Sequence, residues 1–444
     1  MQQGISDMSG SSRRAFLGTL GAAAAALPAL GSSIRFGADL SAAAPAAGQA
    51  AASYDLLIRG GRVIDPSQKI NGAMDVGITG GKIVAVAANI PANRAKQVFD
   101  AGGKLVTPGL INVHAHLYRY VYPISVDPDA VGLPAGVTTL VDAGSAGAST
   151  FPGLRKFIME PAPTRMYAML NISQVGNFGN ELYISPTFQP INVKAAINTI
   201  TNNKDKIVAI KVRINGDHNE LMHDLEVLKR ACMVRDETGL PIMLHWTTDR
   251  ELLNLLKRGD ILTHTFTIPT PRVDNLFGGP TQADKVLPQI LELKDRGIFT
   301  EGQMVNSHHL FDVSEKAFAQ GWIPDLLGTD MGAVGKDMPN GILLPWEMTQ
   351  YLYLGLTVEQ VIERVTLTPT KVFKFPEQLG TLQTGAPADV TVIDLQQGQF
   401  QLFDQKGQMR TAKQRFVPVA AVHGGTLTAI DPAVHEVKFA GVRI

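Results

Sequence analysis

Gly109-Leu-Ile-Asn-Val-His-Ala-His116 is the stretch on which the reading of this chain turns. A short apolar run leads into two imidazoles one residue apart. Side chains of an extended strand alternate faces, so His114 and His116 point the same way and can reach one cation. Imidazole suits zinc and related first-row metals, and a catalytic site keeps one coordination position open for water. Taken alone, the pair fits two ordinary strand-end histidines equally well. The same design recurs, however, in Pro241-Ile-Met-Leu-His245, in Asp260-Ile-Leu-Thr-His264 and in Pro324-Asp-Leu-Leu-Gly-Thr-Asp330. Each is an apolar strand ending in a metal-type side chain, and together they have the composition of a two-metal hydrolytic centre.

Ile207-Val-Ala-Ile-Lys211-Val-Arg213 adds a less expected member. An ammonium group inside an apolar strand is costly without a partner. Two readings are open for Lys211: a salt bridge to an acidic neighbour, or a neutral amine that has added carbon dioxide and whose carbamate bridges two metals.

Working outward, short apolar strands alternate with helical segments between about residues 107 and 375. The strands fall near 109–114, 137–142, 165–171, 207–213, 241–245, 260–264, 298–301 and 325–329. Helical spacing is clearest in Leu221, Leu225, Leu228 and Cys232, predicting a helix over 219–238, and again over 282–296. This is the pattern of an α/β fold, a (β/α)8 TIM-like barrel, whose sites sit at the C-terminal ends of the strands. Residues remote in sequence therefore converge.

Strand-rich segments flank the barrel. Asp55-Leu-Leu-Ile-Arg-Gly-Gly-Arg-Val-Ile-Asp65 and Val76-Gly-Ile-Thr-Gly-Gly-Lys-Ile-Val-Ala85 each carry Gly-Gly between alternating apolar positions, which reads as a tight hairpin. Ala388-Asp-Val-Thr-Val-Ile-Asp394, Pro418-Val-Ala-Ala-Val-His423 and Val437-Lys-Phe-Ala-Gly-Val-Arg443 close the chain. Residues 53–106 and 376–444 are expected to form one small β-sandwich around the 107–375 barrel.

On these phrases the chain resembles the amidohydrolase superfamily, in its binuclear branch with a carboxylated lysine. It looks most like the amidohydrolase/deacetylase metallohydrolases related to dihydroorotase. His-Ala-His-Leu-Tyr118, Val141-Asp-Ala-Gly-Ser-Ala-Gly-Ala148, Ile210-Lys-Val-Arg213, Gly259-Asp-Ile-Leu-Thr-His264 and Gly328-Thr-Asp330 carry the likeness, which runs from about Tyr54 to the C-terminus. It implies two divalent ions, with zinc expected. His114 and His116 would hold the more buried ion, His245 and His264 the more exposed one, with carboxylated Lys211 between them. Asp330 would ligate the buried metal and act as the catalytic proton carrier. One departure stands out. The subgroup usually carries Gly-His-Gly after the seventh strand, whereas this chain reads Glu301-Gly-Gln303-Met304, on a loop expected to face the mouth of the site.

Within the resemblance, deaminases need a Glu near the sixth-strand motif, and His264-Thr-Phe-Thr267 offers none. Dihydroorotase-like sites carry an arginine two residues after the His pair, where this chain has Tyr118. The expected reaction is hydrolysis, by metal-activated water, of an amide or ester of a small acyl substrate: an N-acyl amino acid, a dipeptide or an acylated hydroxy acid. A cyclic amide hydrolase is the alternative, and a non-catalytic binding protein on the same fold the third reading. Arg213 shares a strand face with Lys211 and is a candidate for binding a substrate carboxylate, an ion pair at the barrel rim being the other reading. Tyr118 is a candidate oxyanion donor or a packing residue. His308 and His309 either line the entrance or are solvated, Trp246 can wall the site, and Phe266 reads as core.

Lysine plus arginine and aspartate plus glutamate both number 40, which gives no electrostatic footprint for nucleic acid or an anionic membrane. Cys232 is the only cysteine, so no intrachain disulfide forms. The N-terminus carries a twin-arginine signature, Ser12-Arg13-Arg14-Ala15-Phe16-Leu17, followed by an apolar stretch too short for a good membrane span. Residues 1–50 are expected to be a signal peptide and spacer, cleaved near 42–50. The implied partners are a small-molecule substrate and the twin-arginine export machinery, without nucleic acid or a stable membrane anchor. The implied location is periplasmic or secreted, and a homo-oligomer is compatible with the sequence.

Overall fold

Eight parallel strands in the order in which they occur along the chain organise the molecule, and a second sheet built from both chain ends leans on them. The computed structural model describes residues 53–178, 191–214, 221–271, 273–279, 283–304, 308–331 and 343–435. The twin-arginine segment and the expected strand 437–443 lie outside the described residues.

Strand β1 (Tyr54–Asp65) pairs antiparallel with β2 (Ile70–Thr79), which turns at Gly80-Gly81 into β3 (Lys82–Ala87), the expected hairpin. The earlier pair, Gly60-Gly61, makes no hairpin. It interrupts β1 as a bulge, so that one long strand pairs β4 (Ala95–Asp100) with its first half and β5 (Leu105–Pro108) with its second. Glycine is required there. Gly60 has φ +76°, and a Cβ on Gly61 would lie 2.4 Å from Val106 Cγ2.

The barrel follows as β6 (Leu110–Ala115), β7 (Val137–Gly147), β8 (Arg165–Asn171), β9 (Ile207–Val212), β10 (Ile242–Leu244), β11 (Ile261–Leu262), β12 (Phe299–Gly302) and β13 (Leu326–Leu327). Every neighbouring pair is parallel. A parallel bridge between Ala115 and Met331, with His116 N–H donating to Met331 O at 2.8 Å, ties the last strand to the first. Inward side chains such as Ile111, Val113, Met169, Met243 and Ile261 fill the barrel, closed at one end by Val372 and Phe373. All eight strands fall where the apolar runs placed them, because strands covered on both faces read as continuous hydrophobic segments.

Helix Leu221–Thr238 buries Leu225 and Leu228, as its spacing requires. The helix expected from residue 282 begins at Pro288, which occupies its first turn and needs no backbone donor there. Beyond the barrel, β14 (Val390–Phe403), β15 (Met409–His423) and β16 (Thr426–Ala429) return to the N-terminal strands, β14 pairing antiparallel with β5. The small β-domain is thus made by both ends, as expected. Its strands form one continuous hydrogen-bonded sheet, in the order β16-β15-β14-β5-β1-β2-β3, bent over a core that includes Ile58, Val76, Val106, Val392 and Val422. Among the described residues no helix is long and apolar enough to cross a membrane.

Candidate metal centre

The C-terminal ends of β6, β9, β10, β11 and β13 bring the six strand-end residues into one buried cluster. His114, His116 and Asp330 place one potential ligand atom each within 4.8 Å of one another, and so do His245, His264 and His308. The two groups are contiguous: the rings of His114 and His264 are 5.3 Å apart and those of His245 and His264 4.4 Å. Asp330 Oδ1 lies 3.2 Å from His114 Nε2 and 3.1 Å from His116 Nε2. The backbone is strained here. His264 (φ 61°) and Asp330 (φ 44°) both sit in the left-handed region, which costs a non-glycine residue energy and persists where surrounding contacts impose it.

Lys211 is buried, with Nζ 3.2 Å from His114 Nε2 and 3.7 Å from Met243 Sδ. Among the described residues no carboxylate lies within ion-pair distance of it, so the salt-bridge reading finds no support. Burial pushes its ammonium pKa down to about 8, against the opposing pull of Asp330 and Glu301. Gly144 makes room for it: a Cβ there would lie 2.6 Å from Lys211 Cβ.

Burial also drives the His245 and His264 rings well below the ordinary histidine range, reinforced by Arg213 for His245 and by the neighbouring His308 for His264. His116 is lowered by burial as well. These imidazoles are neutral, the state that ligates a metal. His114 moves the other way: burial and Lys211 lower it, but Glu301 and Asp330 outweigh them. Burial raises Asp330, but His114 and the hydrogen bonds from His114 and His116 hold it well below the carboxylate range. A cluster that gathers protons onto a histidine between two carboxylates is one that a cation suits.

The surroundings fix the ligands. Ser145 Oγ lies 3.1 Å from His116 Nδ1, and Asp142 accepts from the N–H groups of Leu117 (2.9 Å) and Ser145 (2.8 Å), which gives the Val141–Ala148 phrase its purpose. Thr329 Oγ1 donates to the His114 carbonyl at 3.1 Å. His245 Nδ1 is buried without a protein partner among the described residues. The donor set, neutral imidazoles with a carboxylate and a lysine, fits divalent metals.

Several expectations change. His308 is not solvated: it stacks on His264 at 3.9 Å, its Nε2 is 3.5 Å from Asp330 Oδ2, and burial lowers its pKa to about 4. His309 is fully buried, with Nε2 3.1 Å from Ser314 Oγ. Adjacent histidines in a loop gave no periodicity to place them. Tyr118 follows the end of β6 at Ala115, and its hydroxyl donates to the Thr150 carbonyl at 3.0 Å. Tyr122, which sequence reasoning missed, packs edge-on against His116 at 5.1 Å. Gln303 does not face the mouth: it is fully buried beneath the ligands, since β12 continues through Gly302. Arg213 is exposed, one residue beyond β9, and close enough to lower the pKa of His245. Trp246 is buried and donates from Nε1 to the Asp274 carbonyl at 2.6 Å, while Phe266 lies in the core.

Residues 105–428 match the amidohydrolase family. The chain belongs to the amidohydrolase family. Its curated relatives include a deacetylase of Agrobacterium fabrum, 31% identical over 360 residues, covering 79% of this chain and 85% of the relative. A deacetylase of Enterococcus faecalis is 29% identical over 387 residues, covering 84% of this chain and 99% of the relative. Among solved structures, a dihydroorotase superposes with a TM-score of 0.73 at 26% identity, covering 85% of this chain and 99% of that one. An adenine deaminase superposes with a TM-score of 0.75 at 26% identity, covering 85% and 100%. This amidohydrolase is therefore a hydrolase acting on C–N bonds, on a barrel whose histidine clusters fit a metal site.

Proposed function

We propose that this amidohydrolase is a binuclear enzyme that cleaves the amide or ester bond of a small acyl compound whose leaving portion carries a carboxylate. N-acyl amino acids, dipeptides and acylated hydroxy acids are the substrate class. The observation that carries the reading is Lys211, buried beside His114 Nε2 without a carboxylate partner among the described residues, in a centre that also gathers two groups of candidate ligands. A pKa of about 8 leaves a neutral fraction of the amine near neutral pH. That amine would add carbon dioxide, its nitrogen bonding the carbon and losing a proton, to give a carbamate. His114, His116 and Asp330 would hold one ion and His245 with His264 the other. Two bound divalent cations, zinc being the expected metal, would make a shared water acidic enough to ionise near neutrality and would polarise the scissile carbonyl.

The chain's own groups supply the rest. Asp330, ionised through the working pH range, takes the proton of the attacking water and passes it to the leaving nitrogen or oxygen. Neutral His308 stands beside Asp330, its Nε2 3.5 Å from Asp330 Oδ2. Arg213, an exposed cation beside the centre, binds the substrate carboxylate in a charge-assisted pair. The deacetylase names of the two relatives support an acyl amide. The likeness to a dihydroorotase structure favours a second reading, a cyclic amide hydrolase. A hydrolysis screen over N-acyl amino acids, dipeptides, acylated hydroxy acids, lactones and hydantoins decides between them: turnover confined to cyclic amides would reject the open-chain reading. We also infer export in the folded state by the twin-arginine route, supported by Arg13-Arg14 and the apolar stretch that follows.

A further inference from the structure

The tightest polar network of the centre lies beneath the candidate ligands. Gln303, just past β12, is fully buried. Its Oε1 accepts from His264 Nδ1. Its Nε2 lies 3.3 Å from Glu301 Oε2 and 3.3 Å from Thr263 Oγ1, and only 2.7 Å from His114 Nδ1. Glu301 Oε2 is itself 3.0 Å from His114 Nδ1 and accepts from the Thr263 hydroxyl. His114 and His264 belong to the two different groups of candidate ligands.

An imidazole that gives Nε2 to a cation carries its proton on Nδ1, and that proton needs an acceptor which also fixes the ring's orientation. For His114 the acceptor is the Glu301 carboxylate. For His264 it is the Gln303 carbonyl oxygen, and the amide N–H of the same side chain donates to Glu301. The same Nε2, 2.7 Å from His114 Nδ1, would meet that ring's proton donor to donor, so the amide supports the tautomer of His264 and not that of His114.

We propose that Gln303 is a positioning residue that sets the metal-binding tautomer of His264, so that the ion held by the His245 and His264 group depends on it although it does not touch that ion. This rests on the binuclear reading above. The position needs an uncharged group with an acceptor toward His264 and a donor toward Glu301. Glutamate would keep the acceptor but press a second buried carboxylate against Glu301, and methionine, of similar length, offers neither. A neutral imidazole offers both, so histidine should substitute.

The experiment uses the full-length protein loaded with zinc, wild type and the variants Gln303→Met, Gln303→Glu and Gln303→His. Zinc is competed away with a chromophoric chelator, occupancy of each site is followed, and folding is checked by circular dichroism. Gln303→Met and Gln303→Glu should bind the ion of the His245 and His264 group ~10- to 100-fold more weakly, the usual cost of disturbing such a supporting hydrogen bond, and the other ion about as wild type does. Gln303→His should stay close to wild type. Gln303→Met holding two ions as tightly as wild type would overturn the inference. So would equal loss in all three variants, which would mean that Gln303 acts by shape alone. If Gln303→Met does not fold, the contrast between glutamate and histidine decides the matter. Wild type unable to bind two ions would defeat the binuclear reading and this inference with it, whereas tight binding by both wild type and Gln303→Met defeats this inference alone.

Discussion

Asp330 concentrates the chemistry of single residues. It contacts both histidines of the first strand, and His114 keeps it ionised despite burial. Asp330→Asn preserves size and some ligand capacity but removes the base, so kcat should fall by at least ~10²-fold, the scale of general acid–base catalysis; near-normal turnover would remove Asp330 from that role. The role proposed for Arg213 is in binding instead. Arg213→Met should lower kcat/KM for carboxylate-bearing substrates by roughly 10- to 100-fold and spare the corresponding methyl esters or amides. Steady-state comparison of such a pair measures the difference directly, and equal losses on both would make Arg213 a structural residue.

At the scale of elements, the segment after β12 departs most from what its sequence suggests. His309 sits at the start of helix Phe311–Ala319, and burial pushes its pKa down to about 3. Its folded value lies below the unfolded value near 6.5, so its neutral form is fully accommodated above pH 6.5 and the protein loses stability as pH falls from there toward 3. The loss at the acid end should be on the order of a few kcal/mol. His309→Gln should flatten that acid limb in urea unfolding followed at stepped pH, and an unchanged limb would show that the ring is not responsible. The strands were readable because each is an unbroken apolar run ending in a ligand-type residue. His308 and Gln303 were not. Their segment has no period to read, and their partners, His264, Glu301 and Asp330, meet them only when β11, β12 and β13 are aligned side by side. Gly60-Gly61 carries the same local signal as Gly80-Gly81, yet it becomes a bulge because β1 must pair with both β4 and β5.

For the whole molecule, the barrel turns sequence distance into contact: Lys211 reaches His114 across β7 and β8, and Asp330 returns to β6 through the Ala115–Met331 bridge. The bent sheet from both chain ends supports this arrangement through β5, which runs directly into β6. On the proposed twin-arginine route, converting both Arg13 and Arg14 to lysine should block export while leaving folding and turnover intact; fractionation with an unimpaired exported pool would point to another route. Carboxylated Lys211 as a bridge between two ions is the reading on which the proposed function rests. Its most direct test is metal analysis of wild type and Lys211→Ala purified under identical conditions, with turnover measured alongside. Wild type should hold about two ions per chain. Lys211→Ala should lose metal and activity, with partial recovery of both on adding a short carboxylate that replaces the carbamate. A Lys211→Ala protein with two ions and normal turnover would contradict the account.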